Sequence, residues 1–278
     1  MKKILIMSVA AAMMFPAMTA AQHRDDFHWS RTIMDGSRTG VTPPASDVGA
    51  ALGTVKGRKY TAPSGRVFKG GAIVKVAGTV IAAQTEMAPV KEVIASSPES
   101  MESAYPESPL SNWFADNLIR AAEEITGRKT DMSVGNFGGI RVDMPQGDVT
   151  VDDIRSMFPF KNDLVYLVLK GSDVRAVLEQ MAEDGFQVLG GVRAVARDGK
   201  LISAEIGGKP LDDNATYGVA TISFLLNGGD GFHLSRNAVE VVDTGVEIFD
   251  AIMGLVRKDT EEGRKITGQK DGRVVILD

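Results

Sequence analysis

"KNDLVYLVLKGSDVRAVLEQMAED", residues 161–184, changes its period in the middle, and that change decides the fold class. Leu164 to Leu169 is an unbroken apolar run of strand length, bounded by charged "KND" and by Lys170 and Gly171, which predicts a strand covered on both faces. Ser172 then caps a helix over "DVRAVLEQMAED". A buried strand running straight into a helix is the unit of a layered α/β domain.

The same alternation extends outward. Upstream, Thr150 with Asp153 three residues on makes a capping-box start for "VDDIRSMF", and "DMSV" (131–134) reads as a brief strand. Before it, Ser111 caps a helix whose apolar stripe is Phe114, Leu118, Ala122 and Ile125. Residues 72–87 predict a helix with Val74, Ala77, Ile81 and Ala82 on one face, and "VKEVIASS" (90–97) a short strand. Downstream, "VRAVA", "LISAEI", "YGVATISF", "EVVD" and "RVVIL" read as strands, Gly207 and Gly208 as a hairpin turn, and "VEIFDAIMGLVRK" (246–258) as a late helix. The expected fold class is α/β (α+β): a mixed sheet with helices packed on it, more antiparallel toward the C-terminus.

Three segments lie outside or at the edge of this pattern. Residues 1–21, with Lys2 and Lys3 ahead of an apolar run and small residues Thr19 and Ala21 at its end, read as a secretory signal peptide too short to remain a membrane span. An exported protein, periplasmic or extracellular, is the expectation. Residues 22–70, rich in breakers such as "DGSRTGVTPPASD", read as an N-terminal arm or a set of loops, and the compact domain is expected over 71–278. The chain has 278 residues, no cysteine and a net charge of −5, so its core must hold it without disulfides. An acidic chain is also a poor binder of nucleic acid or anionic lipid.

Candidate chemistry gathers in three glycine-rich knots. "NFGGIR" (136–141) puts an amide, Asn136, and a forked cation, Arg141, around Gly138 and Gly139, whose freedom to take positive φ suits a turn after a strand. An ordinary strand-to-loop turn, with Arg141 paired to an Asp, is the competing reading. "SFLLNGGDGFH" (223–233) surrounds Asp230 with Gly228, Gly229 and Gly231, beside Phe224 and Asn227. A carboxylate there suits vicinal hydroxyls, although a hairpin loop with a self-capping Asp has the same letters. "DGFQVLGG" (184–191) sets Phe186 before another glycine pair; each ring, taken alone, is as well suited to the core.

In this order and at these separations, "NFGGIR", "GFQVLGG" and "FLLNGGDGF" resemble the C-terminal, substrate-binding domain of the 5′-nucleotidase and UDP-sugar hydrolase family, over about residues 71–278. "ESPLSNWFADNLIRAA" and "FPFKNDLVYLVLKGSDVRAVLEQ" are similar to that family's helix and strand–helix segments. The resemblance implies a substrate site of Asn136, Gly138, Gly139, Arg141, Phe186, Phe224, Asn227, Gly229 and Asp230. In it, Phe186 and Phe224 stack on a nucleobase, Asn136 touches the base, Arg141 the ribose–phosphate side and Asp230 the ribose hydroxyls. The chain departs from the family at "YPESPLSN" (105–112), where an arginine on the phosphate side often stands.

The second departure is larger. Members that hydrolyse nucleotides carry a metallophosphoesterase domain in which Asp, His and Asn hold two divalent metals, whereas this chain has three histidines, His23, His28 and His233. "HRDDFH" (23–28) has the spacing of a solvated tail, and His233 that of a turn or pocket-wall residue. No catalytic residue, metal site or cofactor is therefore expected in this chain, the two divalent metals being expected on a separate metallophosphoesterase. The chain is then the recognition half of a split exported 5′-nucleotidase, or a binding module for nucleosides or nucleotides. An autonomous hydrolase using Asp143, Asp148, Asp152 and Asp153 is the third reading, weakened because helix N-termini favour acids anyway.

Overall fold

The computed structural model describes residues 48–277. Residues 1–47, with the expected signal peptide, the first part of the expected arm and "HRDDFH", lie outside them. The period change at residue 170 is realised as β7 (Asp163–Lys170) followed directly by α5 (Gly171–Asp184). Strand β7 is an inner strand of a five-stranded sheet. It pairs antiparallel with β12 (Thr216–Ile222) on one side and β13 (Glu240–Glu247) on the other, and β5 (Met132–Gly135) and β8 (Val188–Gly190) complete the order β13–β7–β12–β5–β8. Leu164, Val165 and Leu167 are fully buried, as a two-faced strand requires. Strand β5 runs parallel to β12, so the sheet is mixed.

A four-stranded sheet holds β9 (Val192–Arg197), β10 (Lys200–Ile206), the two-residue β11 (Lys209–Pro210) and β14 (Val274–Leu277), with Gly207 and Gly208 turning β10 into β11. Helix α3 (Pro109–Thr126) lies across β8 and β5, α5 against β10, and α6 (Ile248–Glu261) against α3 and the ladder of β4 (Val93–Ser97) with β6 (Gly147–Thr150). Phe114, Leu118 and Ala122 are buried beneath α3, and Ile125, at the end of the expected stripe, is exposed.

Several local expectations change. The N-cap of α3 is Ser108, not Ser111. Ser111 sits at the third position and closes a reciprocal capping box, donating and accepting across Ser108, with Pro109 at the first helical position. Helix α5 starts at Gly171 with no side-chain cap, so Ser172 lies inside its first turn. The Thr150–Asp153 box at α4 (Val151–Met157) forms as expected. Part of the stretch expected to be arm or loops is ordered into α1 (Val48–Leu52) and an antiparallel sheet of β1 (Thr54–Lys56), β2 (Lys59–Thr61) and β3 (Val67–Lys69). Three-residue strands are too short to display a period. On α2 (Gly71–Glu86) Val74 is buried and Ala77 and Ile81 half-buried, but Ala82 is exposed and so are Ile73, Val76 and Val80.

Helices α3 and α6 are tied by a carboxylate that reports on pH. Arg120 of α3 donates to both oxygens of Asp259 of α6, at 2.7 and 2.8 Å. This bond, reinforced by Arg264 and opposed by partial burial, holds Asp259 at about 2, below its ordinary 3.8. The folded value is the lower one. The pair therefore adds stability above about pH 3.8 that is lost as pH falls toward 2. The groups are partly in water, so the contribution is about 1 kcal/mol. Asp259→Asn is expected to melt earlier than the wild type at pH 7 and together with it near pH 2, as thermal melts at the two pH values will read.

Candidate functional site

Strand β5 delivers Asn136 at its C-terminal end, and a 3-10 turn over Phe137–Gly139 follows, closed by Gly139 N–H donating to Asn136 O at 3.1 Å. Asn136 is buried. Its Nδ2 donates to Asp230 Oδ2 at 2.8 Å across 94 positions of sequence, joining the first and last glycine knots. Its Oδ1 is also buried and has no hydrogen-bond partner among the described residues.

The glycines of this turn act differently from expectation. Neither Gly138 nor Gly139 takes positive φ. What Gly139 supplies is space, because a Cβ there would stand 2.5 Å from Asn136 Oδ1. Arg141 is exposed, donates to Gly138 O at 3.2 Å and lies 5.8 Å from the centroid of the Phe160 ring. It enters no ion pair among the described residues, so the competing reading of a turn sealed by an Arg–Asp pair does not hold.

On the facing loop Asp230 is exposed and takes φ 48° and ψ 27°, a left-handed conformation held between Gly228 and Gly231. Gly228 N–H donates to Phe232 O at 2.6 Å, and the buried Phe232 ring anchors the loop. Phe224, in the turn Ser223–Leu225 after β12, is 44% exposed and lies against Gly229, where a Cβ would meet the Phe224 carbonyl at 2.1 Å and its ring at 2.7 Å. Asn227 is spent on the loop, its Oδ1 accepting from Ser235 Oγ at 3.0 Å. His233 borders Gly228.

Phe186 is the correction. It is 2% exposed and belongs to the hydrophobic core, so of the expected pair of rings only Phe224 is open. The cause is local: Phe186 leads into β8 two positions ahead of buried Val188 and packs inward with it. The exposed aromatics at the turn are ones the sequence reading passed over. Tyr105 meets Phe137 edge-on at 6.0 Å, and Phe160 lies beneath Arg141. The signal for Tyr105 was its place in "YPESPLSN", where the resemblance led one to look for a cation.

The enclosed space beside Asn136 and Gly139, lined also by Phe114, Phe158 and Phe160, is about 10 Å³. That is too small for a ring, and Phe224 and Asp230 are exposed outside it. A roomier groove of about 710 Å³ between β1–β3 and α2 shares no residue with the three knots. The acids of the third reading are partly committed elsewhere. Asp153 accepts from Thr150 in the helix cap, and buried Asp143 accepts from Ser103 N–H at 3.1 Å. Among the described residues no three His, Asp or Glu gather to hold a metal ion, and no helix is long and apolar enough to cross a membrane.

The model of the 5′-nucleotidase C-terminal domain matches residues 81–236, more than half the chain. This chain belongs to that family. Protein UshA of Escherichia coli K12 is 33% identical over 149 residues, covering 51% of this chain and 27% of UshA. The 5′-nucleotidase of Vibrio cholerae is also 33% identical, over 144 residues. Among solved structures, the 5′-nucleotidase precursor of Thermus thermophilus superimposes with a TM-score of 0.65 at 28% identity, over 74% of this chain and 43% of that one. The NAD nucleotidase of Haemophilus influenzae, at 18% identity and a TM-score of 0.57, shares the fold. This chain spans about a quarter of the length of the UshA proteins it matches. The expected family and the mixed α/β fold are thus both found.

Proposed function

We propose that this chain is the substrate-recognition half of a split, exported 5′-nucleotidase, taking the nucleoside part of a nucleotide while a separately encoded metallophosphoesterase supplies two divalent metals and the activated water. The observation that carries this reading is the Asn136–Asp230 hydrogen bond. It joins two knots that a pair of plain turns would have no reason to bring together, and leaves a buried, unpartnered amide oxygen and an exposed carboxylate at one spot. Phe224 adds an open ring beside them and Arg141 a cation at the edge. Carboxylate, amide, ring and guanidinium are the complements of ribose hydroxyls, base edge, base face and phosphate. The described residues hold no donor set fit for a two-metal centre, so no hydrolytic step is assigned to them.

Calorimetric titration with adenosine, AMP and UDP-glucose tests the reading. Binding of at least one is expected, and Phe224→Ala should weaken it by about 1 to 3 kcal/mol, the range for a lost base–aromatic stack. Its melting temperature should hold, because the ring is half in water. No heat with any of the three ligands would overturn the assignment. Binding with no gain of AMP hydrolysis on adding a secreted metallophosphoesterase from the same source would leave a binding module.

A further inference from the structure

We propose that Tyr105 is a specificity-determining residue of this site, a neutral aromatic wall whose hydroxyl donates to the ligand and favours the uncharged nucleoside over its phosphate ester. The inference rests on the nucleoside-binding reading above. Tyr105 is 55% exposed, yet its surroundings are fixed. Its ring meets Phe137 edge-on, with centroids 6.0 Å apart and planes at 61°, and its Oη accepts Phe186 N–H at 3.4 Å. One side chain therefore touches two of the three glycine-rich segments, and through Phe137 it neighbours Asn136.

The backbone that carries it is pinned on both sides. Upstream, Met101 and Met144 exchange hydrogen bonds at 3.1 and 2.9 Å, and Ser103 N–H donates to Asp143 Oδ1. Downstream, buried Glu107 and Ser108 lead into the capped start of α3. An aromatic ring held out into water by an anchored segment is a preorganised contact surface, with little side-chain entropy left to lose on binding. The phenol also has a bond to give, since Oη accepts from Phe186 and its own proton has no acceptor among the described residues. A ligand hydroxyl or ring nitrogen would take that proton. A phosphate gains no charge from a phenol, and with the Asp230 carboxylate nearby Arg141 is left as the cation of the three knots.

The test is the affinity of the full chain for adenosine and AMP by calorimetry, in wild type, Tyr105→Phe, Tyr105→Ala and Tyr105→Arg, with Phe224→Ala as the control for the site itself. Wild type is expected to bind adenosine at least as tightly as AMP. Tyr105→Phe should lose about fivefold and Tyr105→Ala about tenfold or more in adenosine affinity. Tyr105→Arg should move the AMP-to-adenosine preference by about tenfold or more toward AMP, a change that a merely structural role would not produce. If Tyr105→Ala does not fold, Tyr105→Phe, which removes one oxygen, decides. Loss of binding in Phe224→Ala with all folded Tyr105 variants within twofold of wild type, and an unchanged preference, overturns the role of Tyr105 and leaves the site standing. No binding by the wild type removes both.

Discussion

Asp230→Asn is expected to weaken nucleoside binding roughly 10- to 100-fold while leaving the melting temperature within about a degree, and the backbone explains why the two effects separate. Asp230 sits at φ 48° and ψ 27°, a conformation that asparagine tolerates better than most residues. The amide oxygen of Asn can still accept from Asn136 Nδ2, so the bond between the two knots survives in the variant. What disappears is the charge and the second acceptor that a pair of ribose hydroxyls would use, and hydrogen bonds to a charged group contribute about 1.5 to 3 kcal/mol. Asp230→Ala is different. It leaves the buried Asn136 amide without a partner at either end and should destabilise the fold by about 1 to 2 kcal/mol as well. Calorimetry and melting curves on both variants separate a ligand contact from a loop brace. Unchanged affinity in Asp230→Asn would reduce the carboxylate to the brace.

How much of this was legible in the sequence depended on length of signal. Strand β7 was, because six consecutive apolar residues between charged ends have no other stable home. So was α4, whose Thr150 and Asp153 carry their own geometry in their spacing. The start of α3 was misplaced by three residues because Ser108 and Ser111 are alike and both take part in the cap; only the φ of Ser108, −149°, tells which one lies outside the helix. Strands β1–β3 were missed because three residues give no alternation to count.

At the site, residue types were legible and their exposure was not. An aromatic next to a glycine reads the same whether its ring faces water, as Phe224 does, or the core, as Phe186 does. The glycines of "NFGGIR" were read as turn-formers, yet Gly139 is required by the approach of the Asn136 side chain three residues earlier, whose amide is bonded to Asp230 far along the chain, which spacing alone does not carry. The meeting of Asn136 with Asp230 followed from the family resemblance and not from any local pattern.

The larger effect on stability is expected from Arg273→Met. Arg273 immediately precedes the last strand and is 8% exposed. Its guanidinium donates to Asp116 Oδ1 of α3 at 2.8 Å, to Leu189 O of β8 at 3.1 Å and to Asp271 Oδ2 at 2.8 Å, so three parts of the chain converge on one cation. Burial alone would work against its charge, but the two carboxylates outweigh burial and raise its pKa above the ordinary value, while the same contact lowers that of Asp271. Methionine fills the volume of the stem and keeps the apolar packing, but it has no donors. Asp116 and Asp271 have about half of each side chain in water and can rehydrate, whereas Leu189 O lies deep beside the vanished guanidinium. The cost therefore falls below the roughly 3 to 5 kcal/mol of a broken, fully buried pair, at about 2 to 3 kcal/mol. For a domain of this size that is a drop of roughly 5 to 10 °C in melting temperature. Arg273→Lys, which keeps the charge and loses the fork, should fall between the two. A melting temperature for Arg273→Met within about a degree of wild type would show that β14 and β8 are held by their backbone ladders alone. Leu189 of β8 pairs with Val134 of β5, two positions before Asn136, so the same variant should also bind nucleoside more weakly if this clamp steadies the site.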